Sequence, residues 1–203
     1  MDSTQPQGEW PRIAVVVCAY NEEDHIRSCL DDLSRLDYQA LEVLVVDDGS
    51  TDSTYAIASE DDFNLIRTAN QGLSDARNPG MEAATGSIVA YIDADAYPDP
   101  QWLTHLALSF LKTEHAAIGG PNIAPPKLGQ VAECAGRAPG GPIHVLLTDE
   151  EAEPISGCNM AFSEDALEEV GAFDPQFRIA GDDVNVCWKL QQRGWTLGFN
   201  PAA

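Results

Sequence analysis

Apolar residues gather in short, nearly unbroken runs, and polar stretches of helical period lie between them. This pattern predicts strand and helix in alternation through the first half of the chain. Arg12–Ala19 (RIAVVVCA) is rich in valine and suits a strand buried on both faces. Asn21 stands where a cap of the next helix belongs, with Asp24 three residues on, and Ile26, Leu30 and Leu33 recur at helical spacing. Leu41–Val46 predicts a second strand that ends in the turn Asp47-Asp48-Gly49-Ser50. Ser50 or Thr51 can cap a short helix reaching Ser59. Phe63–Arg67 is a weaker third strand, and Gly72–Ala84 a helix that carries Pro79. Ser87–Ile92 is a fourth strand running straight into Asp93-Ala94-Asp95. Gln101–Leu111 is an amphipathic helix introduced by Pro100, and Ala116–Gly120 is another strand.

The pattern then breaks. Pro121–Pro154 is rich in proline and glycine, with only Lys127–Cys134 suited to a helix, and it reads as a lid or binding loop. Ile155–Phe162 resumes as a strand, and Ser163 caps a helix over Glu164–Val170. Gly181–Arg193 predicts a helix with Val184, Trp188 and Gln191 on one side, and Trp195–Phe199 a last strand. Strand-helix alternation implies a mostly parallel sheet with right-handed crossovers, whose ligand crevice lies beyond the strands' C-terminal ends. Three polar clusters fall at that edge: Cys18–Glu22, Asp47–Ser50 and Asp93–Asp95.

A length of 203 residues fits one ordinary domain. The five cysteines are Cys18, Cys29, Cys134, Cys158 and Cys187. Their odd count and wide spacing read as small buried hydrophobes in a reducing compartment, not as a disulfide or zinc framework. The charge changes the picture more. Eleven Lys and Arg stand against 33 Asp and Glu, a formal charge of −22, which repels nucleic acid and anionic lipid. A phosphate-bearing substrate on such a protein must meet a local metal ion or arginine. The N-terminus has no basic segment followed by an apolar run, and no stretch reaches the length of a bilayer span, so a soluble chain without a transmembrane segment is expected.

The candidate chemistry follows from these clusters. Asp93 and Asp95, two apart after a strand, would face one side if the extension continued, with Ala94 turned away and leaving room beside them. Hard carboxylate oxygens suit Mg2+ or Mn2+, with substrate phosphates completing the shell. A solvated surface turn is the other reading of Asp-x-Asp by itself. Arg77 is a candidate second counter-charge for a diphosphate. Asp48 can accept a hydrogen bond from a base imide or ribose hydroxyl, Tyr20 can stack on the base, and Asn21 can fix the adjoining backbone. Asp47 can cap the helix that follows or hold the turn.

Gly181-Asp182-Asp183 precedes a helix, so either acid can cap the first turn or serve as a general base toward an acceptor hydroxyl. With one base and a metal-bound leaving group, direct displacement with inversion is the simplest mechanism. Trp188 and Trp195 are candidates for an acceptor wall, and Ser156–Asn159 for shaping a sugar pocket.

Together the motifs resemble glycosyltransferase family 2. The matching segments are VVVCAYNEEDHI (Val15–Ile26), VVDDGSTD (Val45–Asp52), NQGLSDARNPG (Asn70–Gly80), YIDADAYPDP (Tyr91–Pro100), GCNMAFSEDAL (Gly157–Leu167) and Gly171–Trp195, with GFNPAA at the end. The resemblance implies the GT-A fold: a Rossmann-like, mostly parallel central sheet flanked by helices, with a small acceptor-side subregion. It divides the chain into a flexible tail at 1–11, a nucleotide-sugar-binding half at 12–120 and an acceptor-side, catalytic-base half at 121–203. The whole reads as the catalytic core of a longer protein.

The resemblance also implies an inverting transferase that uses Mn2+ or Mg2+, a UDP-sugar donor and a carbohydrate or lipid-linked acceptor. The expected location is cytoplasmic, at the inner membrane face where the full-length protein associates with it. Ala19, Tyr20 and Asp48 would meet the nucleoside, with Asn21 and Glu22 beside them. Asp93, Ala94 and Asp95 would serve the ribose-diphosphate and metal, with Asp95 preferred as direct ligand, and Arg77 would approach the diphosphate. Asp183 occupies the place of the family's base, and Asp182 stands where glutamate is usual. Pro79 departs from the pattern and threatens the helix beyond Arg77. A non-catalytic nucleotide-sugar-binding module is the alternative. A sugar-nucleotide pyrophosphorylase fits less well, because CAYNEEDHI lacks a glycine-rich triphosphate loop.

Overall fold

The computed structural model describes residues 9–123, 148 and 151–203. The segment Lys127–Cys134, expected as a helix, lies outside them, as do residues 1–8 of the expected tail. At the described end of that tail, Trp10 packs edge-on against Tyr38 at 5.9 Å, and the Tyr38 hydroxyl donates to the Pro11 carbonyl.

The strands are β1 (Ile13–Ala19), β2 (Leu41–Asp47), β3 (Asn64–Arg67), β4 (Ile88–Asp93), β5 (Ala117–Gly119), β6 (Asn159–Ser163) and β7 (Leu197–Phe199). They form one sheet in the order β3-β2-β1-β4-β6-β5-β7. The pairings β1–β2, β1–β4, β2–β3 and β5–β7 are parallel, while β6 runs antiparallel to both neighbours. The helices are α1 (Ile26–Leu33), α2 (Thr54–Ala58), α3 (Leu73–Ala83), α4 (Trp102–Lys112), α5 (Glu164–Glu169) and α6 (Asp182–Gln192).

The period of two along β1 divides the core. Ile13, Val15 and Val17 pack with Ile26, Leu30, Leu33, Leu103 and Leu106 on the α1–α4 face. Ala14 and Val16 pack with Ala76, Met81, Leu167, Val186 and Leu190 on the face of α3, α5 and α6. These central strands are buried on both faces, which is why they read as continuous apolar runs.

Three local expectations change. Ile155–Cys158 is not strand, because the Asn159 N–H bonds the Ser156 carbonyl and makes a turn before β6. On α6 the buried side is Asp182, Val186, Cys187 and Leu190, while Trp188 is 53% exposed, so the stripe is not Val184–Trp188–Gln191. The neighbours of α6 in the core select that stripe, and its own sequence has no strong apolar asymmetry to announce it. Asn21 does not cap α1, nor does the side chain of Ser50 or Thr51 cap α2. Instead Asp52 accepts the Thr54 N–H at 3.0 Å and Asn21 accepts the Thr51 N–H at 2.8 Å.

Pro79 does not end α3, which continues to Ala83. The helix is held on the sheet by Gly80: a Cβ there would stand 2.4 Å from Val16 Cγ1. Gly80→Ala is therefore expected to lower unfolding stability by about 1–3 kcal/mol through overpacking, despite alanine's better helix propensity. Urea unfolding measures the sign, and a stabilised variant would show that α3 is free to move off the sheet.

Candidate functional site

The register brings the three polar clusters to one rim. Ala19 lies opposite Asp47 across β1–β2, and Cys18 lies opposite Asp93 across β1–β4. Strand order reverses at β1, so this rim is the switch-point crevice of an open α/β sheet.

The first two loops are knitted together. The Asn21 N–H donates to Ser50 Oγ at 2.9 Å, and the Glu22 N–H to Thr54 Oγ1 at 2.7 Å. The Ser53 N–H donates to the Glu23 carboxylate at 2.9 Å. Asn21 adopts a φ of 56°, which asparagine tolerates better than most residues. The Glu22 side chain pairs with His25 at 2.9 Å. Glu22 and Asn21 thus shape the rim and are turned to the protein. Tyr20, 46% exposed, stands free at the edge and is not the core aromatic its size would allow.

Asp47 and Asp48 divide their work. Asp47 is buried, pairs with Arg67 at 3.2 Å and accepts the Ser50 N–H, so it holds the turn. Asp48 is 5% exposed. Its Oδ1 accepts from the Thr68 hydroxyl at 2.7 Å and the Gln71 N–H at 3.0 Å, and its Oδ2 accepts from the Gly72 N–H at 2.9 Å. A carboxylate has about four acceptor positions, so one remains on Oδ2. Thr68, Gln71 and Gly72, which no motif reading singled out, orient this acid.

β4 ends at Asp93, and the Ala96 N–H turns back to the Asp93 carbonyl at 3.0 Å. The extension expected to carry both acids outward in line is therefore replaced by a turn. Ala94 is buried beneath it and Asp95 is exposed. Burial pushes the Asp93 carboxyl up; Arg77 opposes this, while Asp95, Asp182 and Asp183 add to it. A cation beside Asp93 would relieve both burial and repulsion. Among the described residues no group of three or more His, Cys, Asp or Glu is suited to a metal. The donors present are thus two hard carboxylates at most, which fits a cation that takes the rest of its shell from phosphates and water, as Mg2+ and Mn2+ do.

Arg77 and Asp182 are not where the sequence suggested. Arg77 is 3% exposed and Asp182 2%, and they form a direct ion pair. Arg77 also donates to the Gly157 carbonyl at 3.2 Å, approaches Asp93 at 4.0 Å, and lies 5.3 Å over the Phe173 ring and 5.9 Å over that of Tyr91. The free counter-charge expected of Arg77 is therefore consumed beneath the rim. Asp182 is buried against that guanidinium, away from the rim. The adjacent Cys18 thiol is pushed up to about 12, chiefly by burial, and stays neutral there.

Asp183 remains available. It is half-buried at the start of α6, where Oδ2 accepts the Gly157 N–H at 2.9 Å and Oδ1 the Val184 N–H at 2.8 Å. Gly157 touches both sides: a Cβ there would lie 2.8 Å from Arg77 Nη2 and 3.3 Å from Asp183 Oδ2. Gly157 belongs to the segment Ser156–Asn159 offered for a sugar pocket; its contacts are with Arg77 and Asp183.

Asn159, the last residue of that segment, accepts from the Trp102 indole N–H at 2.9 Å. Trp195 donates its indole N–H to Glu169 at 3.0 Å and packs on the core, which removes it as a free wall. Beside Asp95 opens a cavity of about 480 Å3, lined in part by Tyr97, Asp99, Trp102, Ile123 and Cys158. That is within the usual size for small-molecule sites.

The site can be set beside known proteins. The family model described as Glycosyl transferase family 2 matches residues 14–171. Glycosyltransferase AglE of Haloferax volcanii is 32% identical over 204 residues, covering 93% of this chain and 64% of that protein. Poly-beta-1,6-N-acetyl-D-glucosamine synthase of Staphylococcus aureus is 29% identical over 201 residues, covering 94% and 48%. Among solved structures, mannosyltransferase PcManGT from Pyrobaculum calidifontis, in complex with GDP-Man and Mn2+, superposes with a TM-score of 0.73 at 25% identity. That match covers 96% of this chain and 59% of that one. S. aureus TarS 1-349 in complex with UDP-GlcNAc shares the fold, with a TM-score of 0.72 at 20% identity over 95% of this chain and 56% of that one. The chain spans about half to two thirds of the length of these proteins.

Proposed function

The chain belongs to glycosyltransferase family 2, and from that premise we propose that it is the donor-binding and catalytic part of an inverting transferase, moving a sugar from a UDP-sugar to a hydroxyl acceptor. The observation that carries this reading is the shared rim. Ala19 and Asp93 end β1 and β4, Asp48 follows the end of the adjacent parallel β2, and Asp183 faces the same ground through Gly157. The relative with GDP-Man and Mn2+ and the fold relative with UDP-GlcNAc support a nucleotide-sugar donor.

The nucleoside lies against Tyr20 and the open acceptor position of Asp48. The diphosphate reaches Asp93 and Asp95, where a divalent cation, when bound, supplies the positive charge that a protein of formal charge −22 otherwise denies it. The sugar faces the cavity beside Asp95. Asp183 takes the proton of the acceptor hydroxyl as its oxygen bonds to the anomeric carbon. The bond from that carbon to the diphosphate breaks, so the configuration inverts and the nucleoside diphosphate departs. The Gly157 and Val184 N–H groups hold the Asp183 carboxylate in place, so its orientation does not have to be found during the reaction.

Calorimetry of UDP with and without Mn2+ tests the donor side. Asp95→Ala is expected to weaken UDP by about tenfold in Mn2+ and to leave the metal-free affinity unchanged. Equal affinities of wild type and variant in Mn2+ would remove Asp95 from the cation's ligands.

A further inference from the structure

Among the described residues, Arg178 is the arginine with no carboxylate partner: Arg12, Arg27, Arg35, Arg67, Arg77 and Arg193 each meet one within 4.0 Å. On a protein with 33 acidic residues that isolation is unusual, and Arg178 flanks the site.

Its backbone is fixed. The Leu73 N–H donates to the Arg178 carbonyl at 3.0 Å, and the Ser74 hydroxyl donates to the Phe177 carbonyl. Asn78 and Phe173 exchange two hydrogen bonds, of 2.9 and 3.0 Å, at the loop's other end. The loop lies so close to Gly72 that a Cβ there would stand 2.7 Å from the Arg178 carbonyl oxygen. Gly72 and Gln71 are the residues whose N–H groups hold Asp48. The guanidinium donates to the Asn70 carbonyl at 3.3 Å. A guanidinium has five N–H donors, and the side chain is exposed, so the others face solvent beside the loop that holds Asp48. Three residues on, Gly181 begins the turn into Asp182 and Asp183.

We propose that Arg178 contacts the donor phosphates: its guanidinium takes a diphosphate oxygen, filling the role that Arg77, buried against Asp182, does not. This rests on the donor reading above. The lip carrying Arg178 is anchored while its charge is unspent, so nucleotide binding neutralises it without breaking an ion pair. Planar, charge-assisted contact to phosphate is what a free guanidinium does best.

The test compares UDP with uridine by calorimetry on wild type, Arg178→Gln and Arg178→Lys at low and high salt, with GDP and guanosine as a parallel arm. Arg178→Gln is expected to weaken the diphosphate about tenfold, leave the nucleoside within about twofold, and flatten the salt dependence. Lysine is expected to restore part of the loss. Unchanged UDP and GDP affinities in Arg178→Gln, or equal losses for nucleotide and nucleoside, would overturn the assignment while leaving the donor reading intact. A wild-type protein that takes up neither UDP nor GDP would overturn the donor reading, and the Arg178 assignment with it.

Discussion

Asp183→Asn is expected to cut sugar transfer by about 10²–10⁴-fold while UDP affinity in Mn2+ stays near that of wild type. The change removes the carboxylate proposed to take the acceptor's proton and keeps the volume. Asp183 accepts two N–H groups, from Gly157 and Val184. An amide accepts through one atom and donates through the other, so one of these bonds is lost, at about 0.5–1.5 kcal/mol. That stability loss is small beside the loss of turnover. Asp182→Asn separates the roles, because Asp182 is buried against Arg77 and has no path to an acceptor. Single-turnover transfer and a urea titration on both variants provide the comparison. Transfer by Asp183→Asn at the wild-type rate would remove Asp183 as the base.

The second large effect is on stability. Arg77→Met or Asp182→Leu alone is expected to destabilise by about 3–5 kcal/mol, since each leaves an uncompensated charge in the interior. Burial works against the charge of Arg77, and Asp182, with Asp93, restores it. Removing both partners removes the stranded charge, so the double variant is expected to be less destabilised than the sum of the two, by an interaction term of about 0.5–3 kcal/mol. A cycle built from denaturant midpoints measures that coupling. Additive losses would mean that Arg77 is held by Gly157 and by the Tyr91 and Phe173 rings, with little from Asp182.

The same pair has a bearing on the chemistry. Arg77 bonds the Gly157 carbonyl while Asp183 accepts the Gly157 N–H, so one peptide joins the buried ion pair to the proposed base. Asp93 lies 4.0 Å from the same guanidinium. One buried arginine therefore sits beneath Asp93 and, through Gly157, beside Asp183. The double variant is expected to recover stability without recovering full turnover.

Much of this was legible along the chain. Valine-rich runs buried on both faces announce parallel strands, because a two-sided sheet leaves no polar face to alternate with. Acids and asparagine after those runs announce the rim, because a strand's C-terminal end leaves the core there. Among the described residues, all seven strands and all six helices fall within segments the periodicity marked, with boundaries shifted by a few residues at most outside Ile155–Cys158 and the start of the helix after Asn21. Helix faces were harder. α6 buries an aspartate and exposes a tryptophan, contrary to what side-chain chemistry alone suggests, because Arg77 waits on the inner side and solvent on the outer.

The sequence by itself determined the sheet, its polar rim and the residue types gathered there, since strand period, turn composition and charge are local properties of a chain. Which acid does what was decided only by tertiary structure. Asp182 and Asp183 are adjacent and chemically alike, yet Arg77, 105 positions from Asp182, engages that acid and not its neighbour. Gly157 then turns Asp183 toward the rim, and Asn70–Gly72 sets Asp48 and Arg178 side by side. Burial and ion pairing depend on what the rest of the chain brings to a point in space, and no spacing within a motif carries that information.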